Sequence, residues 1–434
     1  MKRYSEYKDS GVKWIGEIPV HWKMPRLKML TSFHNGDRSV NYPSGDDFVD
    51  DGIPFCGADS LCGLYVDLNY ARFITDKKYK LLGGFKIRKN DILYTLRGST
   101  IGKNAMALFS EGTVASSLMG IRKTTNRLIS NYLLYTLNSI CEENQRNVLI
   151  NGSTAPNLSA EDVGIFFIPL PPLPEQEAIV TYLDSKVAKI DEYISIAEKK
   201  IAALEELKQT IIAEAVTRGI HKDVPMKDSG VKWIGMIPEH WKVMRLSQIA
   251  YEHFISNKKI HHQNLLSLSY GQIIRKDING TNGLLPASFD TYQVVEEGNI
   301  ILRLTDLQND HKSLRVGLVK ETGIITSAYL CLAPKNMVYS KFLYFQLHAC
   351  DIKKVFYSMG DGLRQSLNYD GMRKLASVIP PLPEQQEIVT YIEAKVANIN
   401  QLCQTERAQI EKLKEYKQRL ISDVVTGKVK VTND

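Results

Sequence analysis

The chain has 434 residues, of which 44% are hydrophobic and 24% charged, and its formal net charge is +7. These values are ordinary for a soluble protein with two or three domains. The N-terminus lacks an apolar run and no stretch approaches about 18 uncharged apolar residues, so we expect a cytoplasmic protein without a membrane segment. The six cysteines form no C-x-x-C pair, and His261-His262 has no i,i+4 partner, which argues against a metal site or a disulfide framework.

A tryptophan-rich segment, here called the strap, opens each half of the chain. Residues 8–23 have the sequence KDSGVKWIGEIPVHWK, and residues 227–242 have the sequence KDSGVKWIGMIPEHWK. The two copies contain all four tryptophans of the chain. Aromatic residues in such a segment usually pack into a core, so we predict that Trp14, His21 and Trp22 are packing residues and not ligands.

Each strap leads into a variable segment, residues 24–167 or 243–378. Both have mixed α and β patterns: strands are predicted at 85–87, 92–96, 300–304 and 324–333, and helices near 131–142 and 341–349. The first segment carries 16 Lys and Arg against 14 Asp and Glu, the second 16 against 11, and the remainder 23 against 23. The basic excess therefore lies in the variable segments, which favours a polyanionic partner over scattered solubilising charge.

A long helix follows each variable segment. Residues 171–177 (PPLPEQE) recur as residues 380–386 (PPLPEQQ), and each introduces an apolar seam with a seven-residue repeat. Lys208 and Lys417 interrupt the two seams at matching positions, whereas Glu406 has no polar counterpart. Proline followed by acidic residues suits a helix start better than a polyproline ligand. We predict that the two helices bury their seams against each other as a coiled coil.

Motifs for catalysis are not evident. Residues 98–103 (GSTIGK) are one residue short of a phosphate-binding loop and end before Asn104, so we do not expect a nucleotide site. A glycine-rich basic turn of this kind also suits a DNA phosphate held by backbone N–H groups. The chain contains no Asn-Pro-Pro-aromatic tetrapeptide and no glycine-rich methyl-donor loop, so it does not look like an adenine methyltransferase.

The duplicated straps, the duplicated PPLPEQ helices and the polar turns at 151–159 and 360–368 resemble the specificity (S) subunits of type I restriction-modification enzymes over essentially the whole chain. The resemblance implies an α+β fold in which two globular α/β target-recognition domains are separated by two long antiparallel coiled-coil helices, with an internal pseudo-twofold duplication. It implies a strap with the first recognition domain at 1–167, a central helix at 168–220, a strap with the second domain at 221–378, and a C-terminal helix at 379–434.

The resemblance also implies a non-catalytic protein that reads a bipartite, asymmetric target in double-stranded DNA. Two methyltransferase (M) subunits would dock on it and bring restriction (R) subunits into the complex. S-adenosylmethionine, ATP and Mg would bind to those partner subunits, so no cofactor and no metal are expected on this chain. A coiled-coil scaffold with two protein-binding modules would explain the duplication but not the location of the basic charge.

The candidate DNA-binding residues are polar and basic residues in the predicted turns, where we expect side chains to be exposed. In the first domain they are Arg97, Ser99, Thr100, Lys103, Asn104, Ser153, Thr154 and Asn157. In the second domain they are Arg303, His311, Lys312, Arg315, Arg364, Gln365 and Ser366. The turn at 360–368 lacks the Ser-Thr-x-Pro sequence of its counterpart, so the two sets are not matched residue by residue.

Overall fold

The structure is a computed structural model that describes residues 2–150, 157–221, 223–260, 262–278, 288–307, 314–359 and 367–431. Its contacts divide the chain into two units, residues 1–197 with 408–434, and residues 198–407. Each unit contains one strap, one variable segment and part of both long helices. The helices, predicted as the separate domains 168–220 and 379–434, are therefore each divided between the units.

The first unit is built from short strands followed by helices. Its strands are β1 (Tyr7–Asp9), β2 (Glu17–Pro19), β3 (Thr31–Asn35), β4 (Phe48–Val49), β5 (Ile53–Cys56), β6 (Leu61–Cys62), β7 (Tyr65–Val66), β8 (Arg72–Ile74), β9 (Ile92–Thr95), β10 (Asn104–Met106), β11 (Thr113–Val114) and β12 (Leu118–Lys123). Its helices are α1 (Asp76–Leu81), α2 (Ser130–Leu137), α3 (Ile140–Ile150), α4 (Ala160–Gly164) and the first part of α5 (Leu173–Arg218).

The second unit repeats that order. Its strands are β13 (Met226–Asp228), β14 (Met236–Pro238), β15 (Lys242–Arg245), β16 (Ala250–Glu252), β17 (Ile255–Ser256), β18 (Leu266–Ser269), β19 (Gln272–Arg275), β20 (Gln293–Val295), β21 (Ile300–Leu302), β22 (Val316–Leu318), β23 (Gly323–Ile325), β24 (Leu330–Pro334) and β25 (Ala376–Ile379). Its helices are α6 (Leu246–Ile249), α7 (Ser340–Ile352), α8 (Tyr369–Met372) and the first part of α9 (Leu382–Val425).

Three predicted elements differ from the structure. The strand predicted at 324–333 is two strands, β23 and β24, separated by a turn. The helix predicted near 131–142 is interrupted between α2 and α3, where Asn138 Nδ2 donates to Leu134 O and Ser139 Oγ donates to Thr136 O. Residues 85–87 are not a strand, although Lys86 forms an isolated bridge with Thr113.

An antiparallel arrangement of four strands forms the centre of each variable segment, and it is equivalent in the two. In the first unit the order begins β3-β12-β9-β10, and in the second it is β16-β24-β21-β22. Strands β9 and β21 are buried along their whole length, as their apolar runs predict. One face of each sheet packs against the helix that follows it, α2 or α7. The variable segments thus share a core although their sequences differ.

Each strap forms a short antiparallel hairpin, β1 with β2 and β13 with β14. Trp22 and Trp241 are fully buried, as predicted. The prediction of a packing role is wrong for Trp14 and His21, which lie at the surface with 37% of Trp14 exposed. The hairpin turn directs Val12 and Ile15 into the core instead, so Trp14 between them faces outward.

The long helices pair within each unit, as the seams predict, and they run antiparallel, as the family resemblance implies. In the first unit Lys417 Nζ lies 2.6 Å from Asp191 Oδ1. In the second unit Lys208 Nζ donates to Asn400 Oδ1 at 3.3 Å, and Lys200 pairs with Glu406. The polar positions in the seams are therefore joined across the helix pair. Glu406, which lacked a counterpart in the sequence, has an ion-pair partner on the opposite helix.

A buried glutamine near the start of α5 fixes the entry to α2. Gln176 is fully buried, and its Oε1 accepts a hydrogen bond from Ile129 N at 2.9 Å. Its Nε2 donates to Arg127 O at 2.8 Å and to Pro171 O at 2.9 Å. One side chain thus satisfies three backbone groups that no helix or sheet pairs. We call this arrangement the glutamine clamp.

The preceding glutamate connects the strap to the same helix. Glu175 Oε2 accepts hydrogen bonds from Trp22 Nε1 at 2.8 Å and from Tyr4 Oη at 3.0 Å, and Glu175 Oε1 lies 2.6 Å from His21 Nε2. The carboxylate therefore gives the buried indole N–H the partner that it requires. From the sequence, an acidic residue at this position is explained by its favourable interaction with the helix dipole. The structure shows that Glu175 also forms specific contacts with the strap.

The second unit repeats the tryptophan, histidine and glutamine contacts, without a counterpart of the Tyr4 bond among its described residues. Glu384 accepts a hydrogen bond from Trp241 Nε1 at 3.0 Å and lies 2.7 Å from His240 Nε2. Gln385 is fully buried and forms a second glutamine clamp. Its backbone partners are Tyr339 N at 2.8 Å, Met337 O at 3.1 Å and Pro380 O at 2.9 Å. We call the straps and the two long helices the frame. In each unit the recurring Glu-Gln pair connects the long helix to the strap through the glutamate and to the variable segment through the glutamine.

Candidate nucleic-acid interface

Two stretches selected from the first domain's sequence lie side by side. Arg97 and Asn157 form an antiparallel bridge, and Leu158 N donates to Leu96 O at 2.9 Å. The side chains of Arg97 and Asn157 are both exposed. Ser153 and Thr154 lie outside the described residues. The bridge brings the turn after β9 next to the end of the polar turn, although the two are some sixty positions apart in the chain.

The loop between β9 and β10 is held by its own backbone. Gly98 and Gly102 have φ values of +84° and +87°, in the region that glycine adopts without a steric cost. The N–H groups of Ile101, Gly102 and Lys103 donate to carbonyl oxygens at residues 98, 95 and 100. Those three amides are therefore already bonded within the loop and are not available to hold a DNA phosphate, the alternative that the sequence left open. The loop presents exposed side chains to solvent: Ser99, Thr100 and Lys103.

Asn104 is not a surface residue, contrary to the sequence-based assignment. It is 3% exposed, and its Nδ2 donates to Gly102 O at 3.0 Å and to Leu137 O at 3.1 Å. Its Oδ1 accepts a hydrogen bond from Asn138 Nδ2 at 2.7 Å. Asn104 is a strand residue whose side chain closes the loop, and its polar atoms are occupied within the protein. These bonds join the backbone of the loop to the end of α2 and leave no side-chain surface of Asn104 for a ligand.

The buried carboxyl group of Glu142 supports this loop through Arg146. Glu142 accepts hydrogen bonds from Tyr94 Oη and from Arg146 Nε, the latter at 3.1 Å. Arg146 in turn lies over Gly102, where an added Cβ would be 2.2 Å from its Nε atom. Burial raises the pKa of Glu142 to about 7. Glu142, Arg146 and Gly102 line a cavity of about 400 Å³ beside Thr100 and Lys103.

In the second domain, Arg315 is buried, which contradicts its assignment as a DNA contact. It is 0% exposed. Its guanidinium donates to the backbone oxygens of Arg303, Thr305 and Asp306 at 2.8 to 3.1 Å, and its Nε donates to Tyr357 Oη at 3.2 Å. The five N–H donors of arginine suit such a cluster of carbonyl oxygens. Arg315 therefore shapes the segment after β21 from inside.

The other candidates of the second domain are placed in part. Arg303 lies in the segment that Arg315 supports and is partly buried. Leu367 N donates to Leu304 O at 3.0 Å, which matches the bond between Leu158 and Leu96 in the first domain. The end of the second polar turn is thus anchored as in the first domain. Outside the described residues lie His311, Lys312, Arg364, Gln365 and Ser366.

Across the described ranges, no group of three or more His, Cys, Asp or Glu side chains is arranged to hold a metal ion. In the same ranges no helix has the length and apolar character needed to cross a membrane.

Comparisons with known proteins agree with the duplicated architecture. The family model for the type I restriction modification DNA specificity domain matches residues 19–206 and 238–412. The chain is 23% identical to the putative type I restriction enzyme MjaX specificity subunit of Methanocaldococcus jannaschii, with 98% of each chain aligned. It is 24% identical to the type I restriction enzyme MjaVIII specificity subunit of the same organism, over 80% of this chain and 81% of the relative.

A solved structure extends the likeness to the fold. The work that describes it concerns complex assembly and conformational transition of the type I R-M system. One of its chains superposes with a TM-score of 0.69 at 15% identity, covering 95% of this chain and 99% of that one.

Proposed function

The chain belongs to the type I restriction modification DNA specificity family, and on that premise we propose that it reads a bipartite, asymmetric target in double-stranded DNA. Each variable domain reads one half of the target. The long helices and straps dock two M subunits, which bring R subunits into the complex. The chain itself is non-catalytic, and S-adenosylmethionine, ATP and Mg bind to the partner subunits.

The observation that carries the proposal is a repeated frame around two dissimilar domains. The frame residues Glu175, Gln176, Glu384 and Gln385 make the same contacts in both units. The variable domains share a core sheet but carry different surface loops. Two different recognition domains held by equivalent contacts suit a DNA target whose two halves differ in sequence.

The exposed side chains of the first domain support a nucleic-acid ligand. Arg97 and Lys103 are exposed at the two ends of one loop, with Ser99 and Thr100 between them. Asn157 is brought to the same place by its bridge with Arg97. Arginine, lysine, hydroxyl and amide groups all bond to phosphates and to base edges, so this surface has the side chains for both kinds of contact.

The test is target selection by the assembled complex. The chain, purified with its M subunit, is incubated with random-sequence duplexes, and the retained DNA is sequenced. We expect enrichment of two short sequences with a fixed spacer between them. Stable assembly with the M subunit but no sequence enrichment would favour a protein-binding scaffold. Methyl transfer by this chain alone would contradict the non-catalytic assignment.

A further inference from the structure

A β-hairpin of the second unit projects an aromatic side chain from a strained turn. Strands β18 and β19 pair with each other and, within the described residues, join no larger sheet. Ser269 pairs with Gln272, so the turn consists of Tyr270 and Gly271. Their φ values are +47° and +75°, which defines a turn with both central residues in the left-handed region. Tyr270 is 88% exposed.

Tyrosine is a poor choice for this position on grounds of stability. The left-handed region disfavours residues with a Cβ, and two-residue turns of this type normally use Asn-Gly or Asp-Gly. The exposed ring makes little contact that would offset this cost. Strain of this kind is concentrated at functional sites. The presence of a tyrosine at this position is therefore better explained by a binding partner of its ring than by the stability of the folded chain.

The hairpin is seated rigidly enough to present that ring. The side chains of Leu268 and Ile273 pack over Gly317 of β22, where an added Cβ would lie 2.6 Å and 2.9 Å from their Cδ1 atoms. Tyr344 Oη donates to Gly271 O at 3.5 Å, which tethers the turn to α7. The inner face is thus fixed against the core of the domain.

The outer face has the composition of a DNA-reading surface. Residues 263–276 include Arg275 and Lys276 but no Asp or Glu. Arg275 lies on the same face as Leu268 and Ile273 and forms an ion pair with Glu321, whereas Lys276, just past β19, is exposed. The side chains that alternate away from the core are Ser267, Ser269, Gln272 and Ile274. Hydroxyl and amide groups bond to base edges, and an apolar side chain packs on thymine methyl groups.

Resting on the proposed function, we infer that the β18–β19 hairpin enters the major groove of the second half-site, with Tyr270 packed against the bases at its tip. The major groove is wide enough for a two-stranded ribbon. Gln272, next to the tip on the outer face, contacts a base edge. The left-handed turn directs the ring away from the domain, which explains why an aromatic residue occupies it.

Substitution of Tyr270 separates a binding role from a structural one. Tyr270→Asn removes the ring and places in the turn a residue that accepts its conformation, so we expect an unchanged or higher Tm. In the complex with the M subunit, its affinity for the selected target should fall roughly tenfold or more, the range for loss of an aromatic contact with a base. Tyr270→Phe should retain most of the affinity. Tyr70→Asn, at an exposed tyrosine of the first unit, is the matched control.

The outcomes are distinguishable. If Tyr270→Asn leaves target affinity and sequence preference unchanged, the inference is overturned while the proposed function stands. If the variant fails instead to assemble with the M subunit, the ring contacts protein and not DNA, which also overturns it. Dimethyl sulfate should methylate guanine N7 in the second half-site less in the wild-type complex than in the Tyr270→Asn complex. If the wild-type complex selects no sequence, the proposed function itself fails.

Discussion

The two units share a frame and differ in what the frame holds. The first unit joins its β6–β7 hairpin to the main sheet through β10, whereas the corresponding surface of the second unit carries the separate β18–β19 hairpin. The glutamine clamps and the strap contacts are the same in both. The recurring residues Trp22, Gln176, Trp241 and Gln385 are buried and hydrogen-bonded, whereas the candidate contact residues Arg97, Ser99, Thr100 and Lys103 are exposed in a loop of one variable segment. On the proposed function, the shared parts assemble with partner subunits and the differing parts recognise DNA.

The largest expected effect tests whether the two clamps are equivalent. Gln176→Leu and Gln385→Leu should each lower the free energy of unfolding of their own unit by about 3–5 kcal/mol, because one buried and two partly buried backbone groups lose their partner. Gln401→Leu, at an exposed position of α9, should change it by less than about 0.5 kcal/mol. Urea unfolding with hydrogen exchange assigns each loss to a unit. A large loss from one clamp and none from the other would break the comparison.

The second effect distinguishes the units by their response to pH. Burial raises the pKa of Glu142 to about 7, above its ordinary value of 4.5, and lowers the pKa of His348 to about 4, below its ordinary value of 6.5. Between pH 4.5 and 7 the folded first unit retains a proton that the unfolded chain has lost, so its stability falls as the pH rises. Between pH 4 and 6.5 the unfolded second unit binds a proton that the folded state excludes, so its stability rises with pH.

Each change is of the order of 3 kcal/mol. Hydrogen exchange of α3 and α7 at a series of pH values measures the two units separately. Glu142→Gln should abolish the fall in the first unit, and His348→Gln should abolish the rise in the second while keeping a polar group near Gln209, which lies 2.9 Å from His348 Nε2. Parallel pH profiles in the two units would contradict these assignments.

The smallest effect concerns one exposed cation of the first domain. Lys103→Ala should weaken DNA binding about equally for all sequences and lower the slope of log affinity against log salt by about one, since one phosphate keeps its counterion. Lys89→Ala, at another exposed lysine of the same domain, is the comparison variant. Equal slopes for Lys103→Ala and the wild type would remove Lys103 from the interface.

The frame was largely predictable because its signals repeat. The seven-residue seams predicted the long helices, and the duplicated straps marked the boundaries of the variable segments. The roles of Gln176 and Gln385 were not predictable, because their partners lie at the entry to another helix and only folding brings them together. A polar residue in the first turn of a helix is ordinary, so the sequence did not indicate that Gln176 and Gln385 have tertiary partners.

The candidate interface was predicted in part. Arg97, Ser99, Thr100, Lys103 and Asn157 are exposed in one region, but Asn104 and Arg315 are buried. Polar residues beside turns normally face solvent, and the sequence cannot show that a cluster of backbone carbonyls needs a donor from inside. The β18–β19 hairpin escaped detection because its turn is Tyr-Gly, whereas the usual signal for such a turn is Asn-Gly or Asp-Gly.

The central claim is that each variable domain is an independent reader in a common frame. Replacing residues 24–167 with the corresponding segment of another specificity subunit keeps the strap, the clamp residues and both long helices. The replaced protein is expressed with its M subunit, and methylated positions are mapped across the genome. We expect one half of the recognised sequence to change while the other half is retained. A change in both halves would show that the domains do not read independently and would contradict the account.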